Sequence, residues 1–234
     1  MLFDLRGRGR RRTVQAIYLS LAILMGGGLV LFGIGSDQQG GLFDAFSGEN
    51  SGGGSATEAV DKRVESLVAR TRTSPKDPDV WAQLAVARFQ RAGVDGIRQD
   101  GTYSDDGKRR LGLAAAAWER HLALEPKQPS VRAANLMVQA YGAGGLNELK
   151  KAVQAKQIVT DDEKPPSSNL YAQLAVLAYQ AGETRTGDLA ATRAVDLAPA
   201  ADRKQLRSTL RILKEQAAKD AAQAAARATT APSG

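Results

Sequence analysis

Three stretches decide the fold: WAQLAVARFQRAG (81–93), AANLMVQAYGAG (133–144) and YAQLAVLAYQAG (171–182). Aligned on Trp81, Ala133 and Tyr171, they carry Leu84, Leu136 and Leu174 three residues on, followed by Ala85, Met137 and Ala175. Phe89, Tyr141 and Tyr179 come eight residues after the start. Offsets of three, four and eight fall on one side of a helix with 3.6 residues per turn, so each stretch predicts a helix with one apolar face. One such unit cannot bury that face alone, and its recurrence predicts a stacked array.

A partner helix follows two of the three. Ala114, Trp118, His121 and Pro126 have the same spacing as Gly187, Ala191, Ala194 and Pro199. In the third unit Gly182 stands five residues before Gly187, the distance a tight helix–turn–helix needs. Residues 94–109 are extra in the first unit, and in the second the closing proline is displaced to Pro165 and Pro166. The pattern resembles the tetratricopeptide repeat, W-x₂-L-G-x₂-Y then A-x₃-F and a terminal P, over roughly residues 75–200.

That resemblance implies a short right-handed array of helical hairpins whose first helices line a concave groove. The matching groove positions are Asp79, Val86, Phe89 and Gln90 in the first unit. Val131, Val138 and Tyr141 match in the second, and Asn169, Val176, Tyr179 and Gln180 in the third. The groove is expected to take an extended or helical segment of another protein, with the recurrent aromatics as apolar anchors. The charged clamp by which some relatives of this kind grip a carboxylate is missing, since Ala82, Val86, Ala134 and Val138 stand in its place.

The array is predicted to lie within residues 55–227. Ser55 and Glu58 have capping-box spacing, and Val60, Val64, Leu67 and Val68 recur on one face, predicting a capping helix that stops before Ser74-Pro75. Leu206, Leu210 and Leu213 predict a solvating C-terminal helix, fraying along its alanine-rich end into a disordered tail at 228–234. No alternating strand pattern interrupts this order, and the fold class is all-α.

Ahead of the array, residues 14–35 are apolar and uncharged. As a helix they would span about 33 Å, enough to cross a bilayer. RGRGRRR (6–12) precedes them, so the 1–13 tail is expected in the cytoplasm and the repeat domain outside it. The run is too long for a signal peptide and ends in GIGSDQQGG without an Ala-x-Ala site, which favours an uncleaved anchor. Ala22 and Gly26 have small-xxx-small spacing, through which two spans could pair weakly as a homodimer. Residues 36–54, rich in Gly, Ser and Gln, read as a flexible linker.

Composition removes several kinds of chemistry. The absence of cysteine and the single histidine, His121, rule out zinc fingers, iron–sulfur clusters, disulfides and thiol catalysis in this chain. Asp95, Asp100, Asp105 and Asp106 lack the order of a calcium loop. No nucleophile, base and orienting group can be assembled, so neither an enzyme nor a cofactor is expected. The net charge of +7 forms no concentrated stripe beyond the N-terminal tail, and no nucleic-acid partner is expected. The expected role is a single-pass envelope scaffold or chaperone-like accessory for other proteins. Service to a secretion translocon and the holding of apoprotein during cytochrome c maturation are its two specific forms.

Overall fold

The structure, a computed structural model, describes residues 53–94 and 96–230. The basic tail, the 14–35 span with its pairing motif, and most of the linker lie outside the described residues. Apart from the first turn of the first helix, the described residues belong to one compact unit, Thr57–Gly234.

That unit is all-helical. The helices are α1 (Gly53–Thr73), α2 (Pro78–Gly93), α3 (Asp105–Ala123), α4 (Val131–Tyr141), α5 (Leu149–Asp162), α6 (Ser168–Gln180), α7 (Thr184–Leu197) and α8 (Arg203–Thr230). Two boundaries differ from expectation. The first helix begins at Gly53, inside the segment read as linker, and the last runs to Thr230, into the segment read as tail. Alanine, the best helix former, at 221–222 and 224–226 accounts for much of that persistence.

Local chemistry sets the helix starts. Asp77 accepts the amides of Asp79 and Val80, and Pro78 occupies the first turn, where its missing N–H costs nothing. Ser104, Ser130 and Ser167 accept the amides of Gly107, Ala133 and Leu170 at the starts of α3, α4 and α6. Gly182 ends α6 in the left-handed region at φ 74°. Its amide bonds to Tyr179 O at 3.1 Å and the Glu183 amide to Ala178 O at 2.8 Å, the paired bonds of a Schellman stop.

Helices α2 and α3, α4 and α5, and α6 and α7 pack as three consecutive hairpins, with α2 against α4 and α6 joined to the others mainly through α5. Small residues make the close approaches: Ala85, Ala114, Ala175 and Ala194 are fully buried. One core cluster gathers Leu67 of α1 with Leu84, Leu111, Trp118, Met137 and Tyr141. A second joins Val153 of α5 to Leu174, Tyr179, Val195 and Leu210 of α6, α7 and α8. Each large apolar side chain so buried contributes roughly 2 kcal/mol.

The insertion in the first unit is shorter and better packed than its acidity suggests. Residues 105–109 are already helical. The remainder forms a tight turn with an isolated antiparallel bridge between Ile97 and Tyr103. Tyr103 is buried in the first core cluster, and its amide bonds to Gly144 O at 3.0 Å, tying the insertion to the turn of the second hairpin.

Candidate functional site

An open cleft of about 210 Å³ lies where α1, α2 and the start of α4 meet. Ala82 and Val86, one turn apart on α2, form its apolar floor. Asp79 and Gln83 of the same helix, Arg63 of α1, and Ser130 and Arg132 at the head of α4 form its walls. Arg70 follows Arg63 by seven residues, on the same face of α1, and its Nη1 donates to Gln83 Oε1 at 3.5 Å. Two guanidinium groups and one carboxylate therefore line the cleft around a small apolar strip, with a third guanidinium, that of Arg70, bonded to the Gln83 wall.

The expected groove residues divide sharply. Asp79 and Val86 line this cleft. Gln90 is half-buried, as are Val131, Val138 and Val176, with Val131 and Val138 packed on the first core cluster and Val176 on the second. Asn169 and Gln180 are exposed on α6, away from the cleft. In the stacking of the units α2 meets α4, whereas α6 stacks on α5.

Phe89, Tyr141 and Tyr179 are core residues, 9%, 1% and 8% exposed, and Tyr179 also borders an open cleft of about 350 Å³ beside α7 and α8. Tyr141 Oη donates to Glu119 Oε1 at 3.2 Å, and Lys151 Nζ reaches the same oxygen at 2.8 Å while lying 5.5 Å from the ring centroid. Tyr179 Oη donates to Asp188 Oδ1 at 2.9 Å, with Lys214 Nζ on that carboxylate and 5.7 Å from the ring. Burial pushes both phenols well above their ordinary range, with the adjoining carboxylates adding to the effect. The Lys214 and Tyr179 hydrogen bonds hold Asp188 below its usual value. Each tyrosine thus pins helices together through a carboxylate and a lysine.

The other singled-out groups also resolve into structure. His121 is fully buried, 5.2 Å from the Trp118 ring between centroids. Its Nε2 accepts the Ser130 amide at 3.1 Å, which leaves Nδ1–H to donate to Pro78 O at 2.8 Å. Trp118 is buried, but Trp81 is only partly so, with its Nε1–H on Pro75 O at 3.0 Å. In the insertion, Asp100 accepts the Thr102 amide and hydroxyl, and Asp106 pairs with Arg109 and Arg110. Among the described residues no group of three His, Asp or Glu could hold a metal ion.

Two features escape a reading of the repeat alone. Lys156 occupies the register of Trp118 and Ala191 within Ala152, Lys156 and Val159, and is 3% exposed. Its Nζ donates to Gln173 Oε1 at 2.6 Å, and burial lowers its pKa from 10.5 to about 8. The basic wall is the second. Its signal was the placement of Arg63 and Arg70 beside Val60 and Leu67, along the edge of the buried stripe of α1.

No family model, curated protein or solved structure matches the chain. Among the described residues no helix is long and apolar enough to cross a membrane. The class defined by fold and site is an all-α protein of stacked helical hairpins bearing an open, basic-walled cleft.

Proposed function

We propose that this chain is a membrane-anchored, tetratricopeptide-like scaffold that holds segments of other proteins outside the cytoplasmic membrane. The observation that carries the reading is the cleft on α2, whose small apolar floor and polar walls suit an extended polypeptide. Its floor uses Ala82 and Val86, two of the positions at which the resembling family contacts its ligands. Residues 14–35 supply the anchor in this reading, and the arginines before them set the orientation.

The chain has no cysteine, so one introduced at a chosen position can be modified selectively. Gln83→Cys places a thiol on the cleft wall, and Ala116→Cys places one on the exposed side of α3. Treating intact spheroplasts with a bulky, membrane-impermeant maleimide should label both variants and reduce partner co-purification only for Gln83→Cys. Equal loss from both positions, or from neither, would reject the cleft. Failure of both to label would reject the orientation.

A further inference from the structure

We infer that the cleft selects acidic polypeptide segments, whose side-chain carboxylates pair with Arg63 and Arg132 while small apolar residues between them lie on Ala82 and Val86. The inference rests on the scaffold reading and adds the chemistry of the partner. Charge complementarity carries it. Arg63 and Arg132 approach the cleft from different helices, α1 and α4, and both are exposed. Neither forms an ion pair or side-chain hydrogen bond among the described residues. Lys62, Lys151 and Lys214 are by contrast paired, with Glu58, with Glu119 and Glu148, and with Asp188, while among the described residues Arg120, Arg193 and Arg207 are exposed without an ion pair, as Arg63 and Arg132 are.

Arg70 strengthens the basic wall, since its bond to the neutral Gln83 amide leaves its charge uncompensated there. Asp79 is the acidic group in the lining, so two arginines face one aspartate, with Arg70 behind Gln83. A guanidinium is a fork of fixed N–H donors that fits a carboxylate with two parallel bonds, and carboxylates are the anionic groups that polypeptide side chains supply. The missing carboxylate clamp does not conflict with this, because the charges come from α1 and the head of α4 and not from the Ala and Val positions of the floor.

The test uses the full chain in detergent and two dye-labelled peptides. One has glutamates interspersed among alanine and valine; the other replaces each glutamate with glutamine. The glutamate peptide should bind about tenfold more tightly at low salt, and the difference should fade as ionic strength rises. Arg63→Glu combined with Arg132→Glu should erase the preference, whereas Arg211→Glu on α8 should leave it intact. Should the double reversal lose helicity, Arg63→Gln with Arg132→Gln makes the same test without reversing charge. Equal binding of the two peptides, or a preference that survives both double variants, overturns the acidic inference. Failure of the underlying scaffold reading looks different: Gln83→Trp, which obstructs the cleft from its exposed wall, would then leave binding of both peptides unchanged.

Discussion

The ring of Tyr179 lies directly over Gly187, so closely that a β-carbon at 187 would collide with it. The contact closes the third hairpin, and it reverses the usual effect of glycine in a helix. Alanine normally stabilises a helix interior by about 1 kcal/mol over glycine. Gly187→Ala should instead destabilise by about 1 to 3 kcal/mol, since the ring must move out of a packed core. Gly112 on α3 has open space around its β-position, and Gly112→Ala should stabilise. Thermal melts of the two variants should therefore shift in opposite directions.

Tyr141 is the corresponding buried tyrosine of the second hairpin. Tyr141→Phe retains the ring and loses the bond to Glu119, at a cost of about 1 kcal/mol. Tyr141→Ala should cost roughly 3 to 5 kcal/mol, as expected for a fully buried aromatic. Urea unfolding resolves the two. A partner's affinity should hold for Tyr141→Phe, because the hydroxyl faces Glu119 and not the cleft.

His121 couples the start of α2 to the start of α4 through Pro78 O and the Ser130 amide. His121→Phe keeps an aromatic ring against Trp118 and removes both bonds. The orphaned amide should make this variant about 2 kcal/mol less stable. Hydrogen exchange should show the loss at Ser130 and in the first turn of α4.

Lys156 gives the fold a pH dependence. Because its folded pKa is lowered from 10.5 to about 8, the unfolded chain binds more protons between those values, and stability rises with pH across that window. Below about pH 8 the full penalty is present. Lys156→Met should therefore stabilise the protein at pH 7 by on the order of 2 kcal/mol. Its advantage should shrink as pH is raised toward 10.5, as read by denaturant midpoints at several pH values.

The helical register was legible in the sequence, because periodicity reports which side of a helix is apolar. Leu84, Leu174 and Gly182 all fall where their local chemistry puts them. Periodicity does not say what an apolar side will face. Phe89, Tyr141 and Tyr179 share one register, yet the partner helices fold over them and leave each 9% exposed or less. Tyr103 was hidden among the aspartates of the insertion, and Lys156 by its charge. The cleft depends on where α1 comes to rest against α2, which the spacing within either helix does not encode.

The central claim is that the Ala82–Val86 floor, within its arginine walls, is the surface that holds other proteins. A photoreactive residue introduced into the full chain, one position at a time, tests it most directly in native membranes. Gln83 and Arg132 sample the cleft, Ala116 and Lys204 other exposed faces, and Asn169 and Gln180 the part of the expected groove that lies away from the cleft. The account predicts discrete crosslinked species from 83 and 132, competed away by a glutamate-rich peptide, and none from the other four positions. Adducts from 169 and 180 with none from 83 and 132 would contradict it and place the working surface on α6.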